Sequence, residues 1–191
     1  MIHHLNGKLV EKHPTLLIIE CGGVGYEVKI SLNTYSVLGS AESIHIFTRQ
    51  VIREDAHFLY GFATKEEREM FGFLTSVSGV GATTAMIMLS SLTPDQIIHA
   101  IQTDDVPVIQ SIKGIGTKTA QRLIVDLKDK VLKISVNSEN IFAANNTNRF
   151  DALTALLSLG FDKKNVEKAL DKVTVGEQSV EELIKQALKT L

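Results

Sequence analysis

Along the first sixty or so residues, apolar and polar positions alternate in short runs, the period-2 pattern of half-buried strands. Tyr26-Glu27-Val28-Lys29-Ile30 and Ser43-Ile44-His45-Ile46-Phe47-Thr48 alternate cleanly, and Leu5, Leu9 and Ile18 lie in apolar or β-branched segments. His13-Pro14-Thr15 and Gly22-Gly23 mark turns. A further strand pair, Thr48–Ile52 and His57–Phe62, is joined by Arg53-Glu54-Asp55-Ala56. Five or so short antiparallel strands in this length predict a small barrel.

The period lengthens near residue 64. Thr64-Lys65-Glu66-Glu67 reads as a capping box, and Thr93-Pro94-Asp95-Gln96 as a second with proline in its first turn. The run Thr119–Leu132 carries Leu123, Ile124, Leu127 and Val131 on one face. Ser135–Arg149 is polar, holds five asparagines and reads as a linker. Beyond it, Asp151–Leu191 predicts three short helices. Gly160 ends the first, Asp162 caps the second and Ser179-Val180-Glu181-Glu182 boxes the third. Val180, Leu183, Ile184, Ala187, Leu188 and Leu191 make one apolar stripe on that third helix. The expected fold is α+β: a barrel of the oligonucleotide-binding type over 1–63, a helical region over 64–140, a flexible linker at 141–149 and a three-helix bundle over 150–191.

The helical region contains a repeat. Val77-Ser78-Gly79-Val80-Gly81-Ala82-Thr83-Thr84-Ala85 recurs 35 positions later as Ile112-Lys113-Gly114-Ile115-Gly116-Thr117-Lys118-Thr119-Ala120. Each copy precedes an apolar helical run, so each reads as a helix-hairpin-helix. The glycines permit positive φ and remove side chains that would hold a ligand away from the backbone. Val80 and Ile115, between the glycines, are expected to point inward and pin the turn. Ala85 and Ala120 are small enough for close helix packing. Each turn opens onto a helix N-terminus, whose free N–H groups and positive dipole end favour phosphate oxygen. Two such units side by side suit successive phosphates of a nucleic-acid backbone. Glycines at helix C′ positions are the plain structural alternative. A P-loop is excluded, because Lys118 follows no glycine, the first Walker glycine is missing and no strand precedes the loop. Gly22-Gly23-Val24-Gly25 is more simply a hairpin turn.

Composition narrows the partners. The 191 residues are 44% hydrophobic and include one cysteine, Cys21, which excludes an internal disulfide framework and a multi-cysteine metal site. No apolar run reaches membrane-spanning length and no basic-apolar leader opens the chain, so a cytoplasmic protein is expected. Net charge is −2, and residues 1–63 carry five Lys/Arg against six Asp/Glu, 64–140 eight against nine. Nucleic-acid affinity must therefore come from backbone amides and a few placed cations. Lys113, Lys118, Arg122 and Lys128 all lie at or just after the second hairpin, with Lys118 and Arg122 on one helix face.

Three motifs carry a resemblance covering the first two regions. They are Gly22-Gly23-Val24-Gly25-Tyr26-Glu27-Val28, then Arg53-Glu54-Asp55-Ala56 with Leu59-Tyr60-Gly61-Phe62, and Lys113-Gly114-Ile115-Gly116-Thr117-Lys118-Thr119-Ala120-Gln121-Arg122-Leu123-Ile124. With these in order, the chain resembles the RuvA family of Holliday-junction-binding proteins. The tail matches mainly through Ala155-Leu156-Leu157-Ser158-Leu159-Gly160-Phe161, a stretch also similar to ubiquitin-associated bundles. The resemblance implies a homotetramer, or two tetramers face to face, holding an open four-way junction during recombination, DNA repair and the SOS response to DNA damage. It implies Gly79, Val80, Gly81, Thr83, Gly114, Ile115, Gly116, Thr117, Lys118, Thr119 and Arg122 as the DNA-contacting set, read through phosphates without sequence preference. It implies Glu54 and Asp55 as an acidic pin at the crossover, where a solvated turn is the structural alternative. It also implies a tail that docks on the hexameric RuvB ATPase, Leu159 and Phe161 being the candidate contacts, and the RuvC resolvase as a further partner. No catalytic residue, metal or cofactor is expected of the chain itself.

One departure stands out. The first hairpin has Ala82-Thr83-Thr84 where the second has Lys118, so it must bind through N–H groups and hydroxyls alone. Two other functional classes remain. A glycosylase or nuclease would need a lysine or clustered carboxylates beyond the hairpin, but Asp126 and Asp129 beside Lys128 and Lys130 look like a solvated face. A duplex-binding or ubiquitin-type adaptor would show no preference for junctions.

Overall fold

The computed structural model describes residues 1–139, 144–173 and 179–191, and of these the side chains of 132–139, 144–147 and 150 are left aside. It divides into two compact units, Met1–Lys133 and Ile134–Leu191. No described helix is long and apolar enough to cross a membrane.

Unit one begins with strands β1 (His4–His13), β2 (Leu16–Cys21), β3 (Val24–Ile30), β4 (Ser43–Ile52) and β5 (His57–Phe62), closed in the order β1-β2-β3-β5-β4. The alternation places Leu5, Leu17, Ile19, Val28, Ile30, Ile44, Ile46 and Leu59 inside. Gly61 is required there, because a Cβ would lie 2.5 Å from Val28 Cγ1 and 2.7 Å from Ile46 Cδ1. Antiparallel pairing holds everywhere except between β3 and β5, which run parallel at Lys29↔Tyr60 and Ile30↔Gly61. The expectation of purely antiparallel strands is corrected here. A closed ring with an odd number of strands must contain one like-directed pair.

A short helix α1 (Leu32–Val37) links β3 to β4. It is too short to register as helical periodicity, although Ser31 caps it by accepting from the Thr34 N–H. Five helices follow: α2 (Lys65–Ser76), α3 (Ala82–Ser91), α4 (Pro94–Gln102), α5 (Val106–Gln110) and α6 (Thr117–Glu139). Thr93 and Gln96 form both halves of the expected capping box. Thr64 forms only half of one: its hydroxyl accepts from the Glu67 N–H at 3.1 Å, while the Glu67 side chain turns inward to Ser31 and Thr34. Tyr60, Phe62 and Phe71 join the barrel to the helical core, with ring centroids 5.0 and 5.1 Å apart. Leu123, Leu127 and Val131 are fully buried along α6.

Unit two holds α7 (Ala144–Ser158), α8 (Lys163–Lys172) and α9 (Val180–Leu188) around Ala152, Leu156, Val166, Ala169, Leu170 and Ala187. Helix enters the stretch read as linker from both sides, since α6 runs to Glu139 and α7 starts at Ala144; residues 140–143 lie outside the described residues. Arg149, at the linker's expected end, donates to the Leu170 carbonyl at 2.8 Å and pairs with Asp171, tying α7 to α8. Asp162 and Ser179 cap α8 and α9 as expected. The stripe on α9 is only partly covered: Ala187 is buried and Val180, Leu183 and Ile184 half-buried, but Leu188 and Leu191 are exposed.

Candidate nucleic-acid interface

The two repeats fold alike, bond for bond. The Val80 N–H donates to the Val77 carbonyl at 3.0 Å, and the Ile115 N–H to Ile112 at 3.1 Å. The first helical bonds, Ala85 N–H to Gly81 and Ala120 N–H to Gly116, are both 2.9 Å. Gly79 has φ +93° and Gly114 φ +92°, a region that penalises any side chain. Val80 and Ile115 are buried at the base of their turns, so at these two positions only backbone can face a ligand. Ala85 and Ala120 are fully buried between helices.

The second glycine of each pair behaves differently. Gly81 is extended, with φ −83° and ψ 168°, and Gly116 likewise has no positive φ. Of the two properties that glycine offers here, the first of each pair uses the positive φ and the second only the missing side chain. A Cβ on Gly81 or Gly116 would meet nothing within 4 Å. Neither the backbone conformation nor internal packing demands glycine at these two places. What glycine preserves is access to the helix end from outside.

That access coincides with missing caps. Ser31, Thr64, Thr93, Asp105, Asp162 and Ser179 cap α1, α2, α4, α5, α8 and α9 with side-chain oxygens. Gly81 caps α3 with no side-chain bond, and Gly116, where α6 begins, has no side chain to offer. A side-chain cap stabilises a helix by about 1 kcal/mol. Both hairpin helices forgo it, leaving the N–H groups of Ala82, Thr83 and Thr84, and of Thr117, Lys118 and Thr119, directed out of the helix ends without an intrahelical acceptor. The two turns are also neighbours: a Cβ on Gly79 would lie 3.9 Å from Thr119 Cγ2 and Oγ1. The result is a double set of outward amides at two positive dipole ends.

Cations are sparse around it. Thr83, Thr117, Lys118 and Arg122 are exposed, and Thr119 is half-buried. Arg122 pairs with Asp126 at 3.5 Å, and Lys128 is held by Asp104 at 2.6 Å. Lys128 is therefore neutralised locally, whereas Lys113 and Lys118 are exposed with no ion pair among the described residues.

Glu54 and Asp55 stand exposed on the β4–β5 turn, closed by the Arg53 N–H donating to the Ala56 carbonyl at 2.8 Å. At its root, Lys29 Nζ sits 4.2 Å and the Arg53 guanidinium 5.6 Å from the Phe58 ring centroid. Burial pushes the Tyr60 hydroxyl above its ordinary pKa, and the charge of Arg53 draws it partly back. In unit two, Leu159 is 63% and Phe161 38% exposed. Gly160, at φ +96°, turns the chain there. Its N–H donates to Leu157 and that of Phe161 to Leu156, which locks the end of α7 and directs both apolar side chains outward.

Sequence reading overlooked α1 and the inward turn of Glu67. Ser31 before Leu32-Asn33-Thr34 is a visible cap signal, but nothing local says that residues of α2 and α3 will bond to it.

Family models match the chain in three places: the RuvA N terminal domain over residues 1–61, a SAM-like helix-hairpin-helix tandem over 71–129, and the RuvA C-terminal domain over 147–191. Curated relatives named Holliday junction branch migration complex subunit RuvA are similar along their whole length. The protein of Flavobacterium psychrophilum is 54% identical and that of Christiangramia forsetii 51%, each with 100% of both chains covered. The Porphyromonas gingivalis protein is 46% identical, again over 100% of both.

Proposed function

Because this chain belongs to the RuvA family, we propose that it binds four-way DNA junctions as a tetramer, takes part in branch migration during recombination and repair, and leaves ATP hydrolysis to a RuvB-type motor. The observation that carries this reading is the pair of adjacent, uncapped, glycine-cleared helix ends at Gly81 and Gly116. Such ends bind phosphate through amides and so ignore sequence, as a protein that must slide along four arms requires. They also need little positive charge, which agrees with a net charge of −2.

In this reading Gly79, Gly81, Gly114 and Gly116 form the phosphate-contact turns. Thr83, Thr117 and Thr119 add amides and hydroxyls, Val80 and Ile115 hold the turns from within, and Lys118 and Arg122 add cations. Glu54 and Asp55 repel phosphate at the crossover. The tail recruits the motor, and a RuvC-type nuclease resolves the junction. The governing experiment is a gel shift comparing a four-way junction with linear duplex of equal length, with and without magnesium. Tight junction binding, weak duplex binding and intact DNA are expected. Equal affinity would support a general duplex adaptor, and cleaved or base-released DNA an enzyme.

The tail makes a separate prediction. Truncation after Glu139, ahead of α7, should leave junction affinity and oligomer state as in the full chain while abolishing stimulation of a RuvB-type ATPase. Leu159→Ala and Phe161→Ala should weaken that stimulation without lowering the tail's melting temperature, because both side chains are already exposed. Loss of junction binding in the truncated chain would count against the division of roles.

A further inference from the structure

Glu67 is the only buried carboxylate among the described residues, at 4% exposure, and no cation pairs with it there. Burying a charge in this way is costly unless hydrogen bonds replace the lost water. Two hydroxyls do so in an ordered relay. The Thr34 N–H donates to Ser31 Oγ at 2.9 Å, and the Ser31 hydroxyl donates on to Glu67 Oε1. The Ala63 N–H donates to Thr34 Oγ1 at 3.0 Å, and the Thr34 hydroxyl donates on to Glu67 Oε2 at 2.5 Å. Each hydroxyl accepts from backbone and donates to carboxylate, so the arrangement has one sense only. Apolar residues of equal volume would fill the space but would not fix direction.

The elements joined are the two halves of the proposed junction site. Ala63 follows β5, the strand that descends from the acidic turn. Glu67 is in the first turn of α2, whose far end carries the first hairpin. Residues at the start of α1 reach the helix beyond that hairpin as well. The Leu32 N–H donates to Ser90 Oγ at 3.1 Å, and Asn33 Nδ2 to the Leu89 and Leu92 carbonyls at 2.6 and 3.1 Å. Both helices that flank Gly79–Gly81 are thus tied to α1 at the ends away from the hairpin.

We propose that Glu67 is a positioning residue: its buried carboxylate, gripped by Ser31 and Thr34, holds the Glu54–Asp55 turn at a set offset from the glycine hairpins, and this offset selects a four-way junction over linear duplex. The inference rests on the junction-binding reading. Duplex reaches the hairpins only against the repulsion of the acidic turn, whereas an open junction leaves the turn clear. Repulsion between carboxylate and phosphate fades over ~10 Å at ordinary salt, so a few ångströms of play at the turn changes discrimination without touching the grip.

The test compares Thr34→Val, which keeps shape and removes the hydroxyl, with Thr34→Ser, which keeps the hydroxyl. Affinities for junction and for linear duplex are measured at one salt concentration, well below each variant's melting temperature. Thr34→Val should lower the junction-to-duplex affinity ratio by about tenfold, within the usual range of coupling between sites, chiefly by raising duplex affinity. Thr34→Ser should retain the parent ratio. Asn33→Ala, which loosens the grip on α3 alone, should shift the ratio the same way and serves if Thr34→Val does not fold. A folded Thr34→Val or Asn33→Ala protein with the parent's ratio overturns the positioning role, as does a Thr34→Ser protein as impaired as Thr34→Val. A parent protein that binds junction and duplex alike overturns the junction reading itself, before any variant is compared.

Discussion

Gly116→Val should yield a folded protein that has lost junction binding. Position 116 has no positive φ, and a Cβ there would meet nothing within 4 Å, so valine fits the chain's own structure. The expected stability cost is that of a poor N-cap, about 1 kcal/mol, which lowers the melting temperature by about 3–8 °C for a domain of this kind. The ligand fares worse. Valine's methyls would stand over the N–H groups of Thr117, Lys118 and Thr119, where phosphate oxygen must approach to hydrogen-bond distance. Hydrogen bonds to a charged group are worth about 1.5–3 kcal/mol each, so losing one or two weakens binding by about 10- to 10,000-fold, and a tetramer repeats the loss. Gly81→Val should act the same way at the first hairpin. It loses proportionally more, because no lysine follows within that turn. Gly114→Val is the contrasting case: φ +92° strains any side chain, so it should destabilise the fold directly. Thermal unfolding beside fluorescence anisotropy with a labelled junction separates these outcomes. Lys118→Ala and Arg122→Ala should each reduce the salt dependence of binding by about 0.9 in the log–log slope, with Arg122 giving less because Asp126 already shares its charge. A folded Gly116→Val protein with unchanged affinity removes the basis of the assignment.

Replacing Glu54 and Asp55 together with glutamine should raise affinity for linear duplex and erode discrimination. Both side chains are exposed on a tight turn and contact no cation among the described residues. Each carboxylate about 10 Å from a phosphate contributes about 0.4 kcal/mol of repulsion in water. Eight such charges around a tetramer's axis would penalise duplex crossing the centre by a few kcal/mol before salt screening. Duplex affinity at low salt should therefore rise by about tenfold or more, and junction affinity by less, because open arms leave the centre clear. Raising the salt should shrink the difference between parent and variant. A solvated turn with no role predicts only a small and equal shift for both DNAs. A double glutamine variant that binds duplex no better than the parent at low salt rules the pin out.

Much of this architecture was legible in the chain because its signals are local. Alternation in 26–30 and 43–48 needs only the two-residue period of a strand, and Thr93, Asp162 and Ser179 announce helix starts through oxygens one turn from the amides they cap. The repeated Gly-aliphatic-Gly carried the candidate site itself, since its inward aliphatic and its small Ala85 and Ala120 are properties of neighbouring residues. The Asn-rich stretch misled because composition reports average propensity. Arg149 is half-buried and bonds to Leu170 and Asp171 on α8, which no window around it contains.

The sequence by itself determined the order of the regions, the duplication of the hairpin, the inward pin at Val80 and Ile115, and the shortage of cations around the hairpins. Tertiary structure alone decided four things. It set Gly79 beside Thr119, turning two distant motifs into one surface. It separated the glycines needed for a positive φ from those that leave a helix end open. It forced one parallel seam, β3 against β5, into a five-stranded ring. It turned Glu67 away from Thr64 and into a bridge between barrel and helices. All but the second depend on contacts between residues tens of positions apart, and such contacts come into being only when the chain closes on itself.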